Sequence, residues 1–178
     1  MAVDHVKDAI VTNLDATPRI VPVTGKGGAG FMRTVEGSAV AVASSSVDAT
    51  YQLVRIPFSA KVKRVTFESA AQGAGKFDLG VYYATDGSNP AGATALLAAA
   101  AIDQDFFATA IDCASAVVRT DVTNESGTNT IDKRIKPLWE AIGLTANPGG
   151  NADIVATVVT TAVTTGTGRL GIHVDYVD

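Results

Sequence analysis

Apolar and polar residues alternate most regularly between residues 50 and 83. Phe77, Leu79, Val81 and Tyr83 fall on one face of an extended strand. The other face of that strand is more polar and consists of Lys76, Asp78 and Gly80. Two upstream runs have apolar faces of the same kind, which are Val54, Ile56 and Phe58 in the first and Val62, Val65 and Phe67 in the second. The pattern predicts three consecutive antiparallel strands that form a meander, with the strand at residues 76–83 half-buried in the core of the sheet.

The second of these runs loses its alternation after Val62, because the next apolar pair is Val65 and Phe67. One extra residue at Lys63 and Arg64 restores the apolar face. An extra residue in one strand of an antiparallel pair is a β-bulge, so the sequence predicts a bulge at that position.

A turn cluster at residues 85–90 follows, and the alanine-rich residues 96–102 fit a strand or a helix. Asp103 is typical of a helix N-cap, and Asp105 lies where the first helical turn would be. Apolar residues then recur at a spacing of four, as Phe106 with Ala110 and Phe107 with Ile111. The sequence therefore predicts a short helix of two to three turns that begins at Asp103.

A second short helix is marked at both of its ends. Pro137 suits the first helical position, and Leu138 and Ile142 are four residues apart. Gly143 followed by Leu144 fits a Schellman-type helix ending. Residues 147–150, Asn-Pro-Gly-Gly, prevent the helix from continuing.

The remaining strands are predicted at residues 117–122, 153–161 and 170–177. The last two are joined by the turn-forming residues 164–168, which predict a terminal hairpin. Seven or eight strands with two short helical insertions indicate an all-β fold, an antiparallel β-sandwich or jelly roll.

Residues 1–48 differ in pattern from residues 49–178, which we expect to form the jelly-roll-like domain. Pro18, Pro22 and the glycine-rich residues 25–30 interrupt any long element, so we expect an extended N-terminal arm. Short apolar pieces, at residues 20–23 and 39–42, could add strands at a sheet edge. Such an arm orders best on a partner, and its expected contact residues are Val3, Val6, Ile10, Phe31 and Met32.

Composition narrows the class of protein. The 178 residues suffice for one domain with an arm, and the net charge of −4 with scattered lysines and arginines does not favour capture of nucleic acid or an anionic membrane. The partners are therefore expected to be proteins. The single Cys113 excludes an intrachain disulfide, and no Cys/His cluster indicates a metal site. No apolar run reaches about 18 residues, and no export signal is recognisable, so we expect synthesis in the cytoplasm.

No motif predicts a catalytic residue or a cofactor. Gly25, Gly27 and Gly30 match the spacing of a dinucleotide-binding loop, but no helical pattern follows them, so a flexible glycine hinge is favoured. Asp103 and Asp105 form a carboxylate pair that helix capping already explains. His173 falls on the polar face of the last strand, where we expect a surface residue.

Several segments of the chain resemble small structural proteins of tailed bacteriophages. The most distinctive are Asp-Gln-Asp-Phe-Phe-Ala at residues 103–108 and Lys-Pro-Leu-Trp-Glu-Ala-Ile-Gly-Leu at residues 136–144. The strands at residues 51–58, 77–82 and 153–157 contribute as well. The resembled family is that of capsid cement, or decoration, proteins with a jelly-roll fold, and the resemblance covers about residues 50–178.

The resemblance implies a non-enzymatic virion protein on the outer surface of the capsid. Its implied partners are the major capsid protein and neighbouring copies of itself, with no cofactor, nucleic acid or membrane. Its implied role is to bridge neighbouring capsid subunits and stabilise the shell. The alternatives are a tail- or fibre-associated β-module and a carbohydrate-binding jelly roll, of which the latter requires an exposed aromatic platform.

Overall fold

The computed structural model describes residues 31–84, 101–164 and 168–178, which contain eight strands and two short helices. The strands are β1 (Met32–Val40), β2 (Thr50–Pro57), β3 (Lys61–Ser69), β4 (Lys76–Tyr83), β5 (Ala101–Asp112), β6 (Val117–Asp121), β7 (Asn151–Val159) and β8 (Arg169–Val177). The helices are α1 (Ile131–Arg134) and α2 (Leu138–Ala141). Within these ranges, no helix is long and apolar enough to cross a membrane.

The strands form two four-stranded antiparallel sheets that pack face to face. Sheet I has the order β1-β8-β3-β6, and sheet II has the order β2-β7-β4-β5. The pairing is nested, because β1 pairs with β8, β2 with β7, β3 with β6 and β4 with β5. A long antiparallel ribbon folded over itself produces this order, which is that of a jelly roll. The predicted all-β sandwich is therefore confirmed.

The predicted meander and the predicted terminal hairpin are both wrong. Strands β2, β3 and β4 alternate between the two sheets, and β7 and β8 belong to different sheets. The connections explain this, because Phe58 and Ala60 between β2 and β3 are fully buried, as is Val163 between β7 and β8. These links cross the edge of the core, whereas a hairpin turn would be solvated.

The predicted β-bulge is confirmed in β3. Val62 pairs with Tyr176 of β8, and Arg64 pairs with the next residue, Asp175, so Lys63 is the extra residue. The bulge keeps Val65 and Phe67 on the inner face, where both are fully buried.

Strand β4 is central, as expected, but its outer face is not solvated as predicted. It lies between β7 and β5, and Asp78, Gly80 and Tyr82 are buried along with the inner residues. The Tyr82 hydroxyl lies 2.6 Å from Thr157 Oγ1. The Tyr82 side chain belongs with Val155 to a second, small cluster of buried residues. Sheet II is therefore buried on both faces at its centre.

The predicted helix at Asp103 is wrong, because residues 101–112 form β5. Between the pairs Leu79–Ala108 and Val81–Asp103, β4 advances from 79 to 81 while β5 advances from 103 to 108. This wide bulge buries two consecutive aromatic side chains, whose rings meet edge to face at 4.9 Å. Both phenylalanines, Phe106 and Phe107, therefore reach the core without a helix.

The Asp78 carboxylate of β4 braces this wide bulge at both ends. It accepts hydrogen bonds from Gln104 Nε2 at 3.0 Å and from the Ala110 amide at 2.8 Å. On the far side, Ser126 Oγ donates to the Phe106 carbonyl at 2.9 Å. A sequence pattern of four-residue spacing cannot distinguish such a bulge from a helical turn.

The predicted second helix is confirmed as α2. Pro137 is its N-cap and not its first helical residue, so the helix begins one residue later than predicted, at Leu138. Its first amides bond to the link between β2 and β3, Leu138 to the Ala60 carbonyl at 2.8 Å and Trp139 to the Phe58 carbonyl at 3.2 Å. Trp139 packs against the core but is only partly buried. Helix α1, which precedes it, was not predicted.

Gly143→Ala is expected to lower the free energy of unfolding by about 1 kcal/mol. Gly143 ends α2 with φ +86, and a Cβ there would meet no atom within 4 Å, so the expected cost is conformational and not steric. A urea denaturation midpoint measures it. An alanine variant as stable as the parent would reject the positive-φ helix ending.

Candidate attachment surfaces

Strand β1 is the edge strand of sheet I within the part of the chain that the structure describes. It pairs only with β8, and its other edge makes no backbone hydrogen bond to any residue that the structure describes. The strand contains no proline and only two charged residues, Arg33 and Glu36, so little protects this edge from pairing. Such an edge can accept a strand from a neighbouring protein.

The open edge is fixed in place by a close approach to sheet II. A Cβ atom at Gly37 would overlap the Leu53 carbonyl oxygen and approach Val54 Cγ1 to 2.7 Å. Only glycine lets the backbones of β1 and β2 come this close. The edge strand is therefore held against both sheets along its middle.

A chain of polar contacts ties β1 to the outer face of sheet I. His173 Nδ1 lies 2.6 Å from Glu36 Oε1, and its Nε2 lies 3.1 Å from Asp175 Oδ1. Thr34 Oγ1 donates to the same Asp175 oxygen at 2.7 Å. Arg119 of β6 reaches across the sheet, with Nη2 3.6 Å from Glu36 Oε1. His173 is thus a partner of two carboxylates on two strands.

These contacts shift the titration of both carboxyl groups. The hydrogen bond from His173 lowers the pKa of Glu36, and the hydrogen bond from Thr34 is the main cause of the lowered pKa of Asp175. A carboxyl group with a lowered pKa in the folded state stabilises the fold at pH values above its unfolded pKa. That contribution is lost as the pH falls through the lower, folded pKa.

Glu36→Gln is therefore expected to lower the melting temperature at neutral pH, and the difference from the wild type should shrink as the pH falls below 4.5, the ordinary pKa of glutamate. Thermal melts of both proteins across the acid range measure this. Glu68→Gln, on the same face, is the matched control. A wild-type to Glu36→Gln difference that stays constant down to the acid limit would contradict the assignment.

The same face contains a shallow polar groove of about 480 Å³, lined by Glu36, Glu68, Arg119 and His173 among others. Gly171 also lines the groove. Among the residues that the structure describes, no group of three or more potential ligands could hold a metal ion. The groove is lined mainly by polar residues, several of which pair with one another, as Glu36 does with His173.

The candidate chemical residues from the sequence do not converge. Asp103 and Asp105 lie on β5 in sheet II, whereas His173 lies on the outer face of sheet I. Burial raises the pKa of Asp103, and a hydrogen bond with Asp105 adds to the shift. The two carboxyl groups therefore interact with each other. Burial also raises the pKa of the Cys113 thiol to about 11, which makes it a poor nucleophile.

One end of the sandwich exposes several large apolar side chains. At this end, Met32 of β1 and Lys61 of β3 both lie beside Val177 of β8. Helix α1 lies beside the start of β3, since Lys63 Nζ donates to the Arg134 carbonyl at 3.2 Å. We call this the α1 end, and its most exposed apolar residues are Phe31 (87%), Ile131 (69%), Met32 (67%) and Ile135 (63%).

The whole jelly roll has solved counterparts. The fold is shared with chains from two phage capsids. A chain in the capsid asymmetric unit of cyanophage Pam1 aligns with a TM-score of 0.50 and 16% identity, over 92% of this chain and 96% of that one. A chain in the capsid of Ralstonia phage GP4 aligns with a TM-score of 0.55 and 12% identity, over 90% and 92%. No known protein family and no curated protein sequence matches the chain.

The predicted contact residues are only partly within the described ranges. Phe31 and Met32 are exposed at the start of β1, whereas Val3, Val6, Ile10 and the glycine-rich residues 25–30 lie outside the described residues. Sequence reasoning missed Ile131 and Ile135. Their spacing of four residues within a polar stretch was the available signal, but it does not reveal exposure.

Proposed function

We propose that this chain is a structural protein of a bacteriophage virion, a cement or decoration protein that binds the outer surface of the major capsid protein shell and stabilises it. The observation that carries the proposal is the fold, shared over at least 90% of each chain with chains from two phage capsids. Both likenesses extend across the jelly roll, so they concern the whole arrangement of strands.

The surface of the domain supports a role in assembly. The open β1 edge and the exposed apolar residues of the α1 end are features that a partner protein can cover. In a capsid, each weak contact is repeated by symmetry, so many small contacts can hold a shell against internal pressure. Contacts with neighbouring copies of the chain would extend across the joints between subunits, and no enzymatic step is needed.

Co-sedimentation with purified expanded capsids tests the proposed function. The protein should pellet with capsids, saturate at a fixed ratio to the major capsid protein, and raise the temperature at which capsids release their DNA. A protein that remains in the supernatant at every concentration would overturn the proposal. That result would favour a tail-associated module or a carbohydrate-binding domain.

We further propose that the arm, assigned to residues 1–48 from the sequence, attaches the domain to the shell. Deleting residues 1–30 is expected to leave a cooperatively folding protein, because β1 and its contacts with β8 remain. Its affinity for expanded capsids should fall at least tenfold, or about 1.4 kcal/mol. Thermal melts paired with capsid pelleting measure both properties.

Full-length protein is the control for that deletion. A truncated chain that folds and pellets as well as the full-length chain would show that the arm is not the attachment device. A truncated chain that fails to fold would show that residues 1–30 belong to the sandwich.

A further inference from the structure

Exposed apolar residues occur at both ends of the sandwich, so they do not by themselves select the end that contacts a partner. At the opposite end, Val118 of β6 is 82% exposed, and Val42 follows β1 there as an exposed residue. The register places these residues near the start of β8, since Val40 pairs with Arg169 and Val117 pairs with Ser69. A second property is needed to distinguish the two ends.

That second property is charge, because three cations at the α1 end form no close ion pair with any carboxylate that the structure describes. Asp103 and Asp121 attract Lys133 and Arg134 only at longer range. Lys63 donates to a backbone carbonyl, that of Arg134. Lys133 Nζ lies over the Phe106 ring, 5.4 Å from its centre. Within the described ranges, none of Lys63, Lys133 and Arg134 forms an ion pair, and the adjacent Lys136 is already paired with Glu140 at 2.9 Å.

Two of these cations, Lys63 and Arg134, also lie close to each other and to Lys61. Partial burial and the neighbouring charges of Lys61 and Arg134 lower the pKa of Lys63. The Nε atom of Arg134 is buried and has no hydrogen-bond acceptor. An unpaired buried donor is costly, and like charges held together repel each other. An incoming carboxylate beside Lys63 would relieve this repulsion.

We propose that the α1 end is the surface that faces the capsid shell, and that it docks on an acidic protein surface whose carboxylates pair with Lys63, Lys133 and Arg134. The exposed Ile131 and Ile135 flank these cations and would be covered in the same contact. The assignment rests on the proposed function.

Two matched pairs of variants test the proposal by capsid pelleting. Lys63→Glu is compared with Arg169→Glu, which makes the same charge reversal at an exposed residue of the opposite end. Ile131→Ser is compared with Val118→Ser, since Ile131 and Val118 are both largely exposed. All four substitutions are at surface positions, and a thermal melt of each confirms that it folds.

Lys63→Glu should weaken binding to capsids at least tenfold, and Ile131→Ser should weaken it by about fivefold, whereas both controls stay within about twofold of the wild type. Added salt should weaken wild-type binding more steeply than binding of Lys63→Glu. These results would support docking through the α1 end.

Other outcomes overturn the proposal in distinguishable ways. Wild-type protein that pellets, together with Lys63→Glu and Ile131→Ser variants that pellet equally well, would reject the α1 end and leave the proposed function standing. Variants that lose self-association in sedimentation velocity but still pellet would show that the end binds a second copy, not the shell. Failure of the wild type to pellet would reject the proposed function itself.

Discussion

Gly80→Ala is expected to lower the free energy of unfolding by about 3 kcal/mol or more, because the added methyl group would overlap the neighbouring strand. A Cβ at Gly80 would overlap the backbone carbonyl oxygens of Asp103 and Gln104 in β5. These atoms belong to the backbone of the wide bulge, so they cannot rotate away as a side chain could. Relief would require β4 and β5 to separate.

Gly127→Ala is the matched control for that prediction. Gly127 has φ +77 and open space around its Cβ position, so alanine there should cost only about 1 kcal/mol of conformational strain. Urea denaturation of both variants gives the comparison. Equal midpoints for the two variants would contradict the close contact between β4 and β5.

Leu79→Ala is expected to lower the free energy of unfolding by about 2 to 4 kcal/mol. Leu79 is fully buried on β4 between Ala156 of β7 and Ala108 of β5, so its small neighbours cannot fill the cavity that the substitution leaves. Val81→Ala, at the next inward position of the same strand, should also destabilise. The change in denaturation midpoint at constant slope measures both.

The exposed Val118→Ala is the control for these core substitutions, with an expected effect within about 0.5 kcal/mol. If Leu79→Ala and Val81→Ala shift the midpoint no more than Val118→Ala does, β4 is not the central strand of the core.

The sequence was informative where local chemistry determines local structure. Alternation identified β2, β3, β4 and β8, and the slip after Val62 located the bulge at Lys63. Proline and glycine bounded α2, because Pro137 presets the entry and Gly143 supplies the positive φ at the end. Each of these signals depends only on residues a few positions apart.

Pairing between distant strands could not be predicted in the same way. Alternation shows which residues share a face, but it does not show which strand lies alongside, so β2, β3 and β4 were assigned to one meander. The jelly roll instead pairs strands through packing of the whole core. In β5, the wide bulge buries the consecutive residues Phe106 and Phe107, which strict alternation along a strand does not predict.

For the candidate surfaces, too, the sequence predicted single residues but not the contacts between distant strands. The sequence named Phe31 and Met32 as contact residues, and both are exposed, although their binding role remains a prediction. It did not indicate that Glu36 meets His173, because that contact depends on the register of β1 with β8. The cluster at the α1 end was missed for a similar reason, since Lys63 and Arg134 are adjacent only in the fold.

A cryo-EM map of the complete virion tests the central claim most directly. We expect density for two packed four-stranded sheets on the outer surface of the capsid shell, repeated by the symmetry of the capsid, with the α1 end toward the major capsid protein. A shell that lacks this density, or a map that places the jelly roll only in the tail, would contradict it.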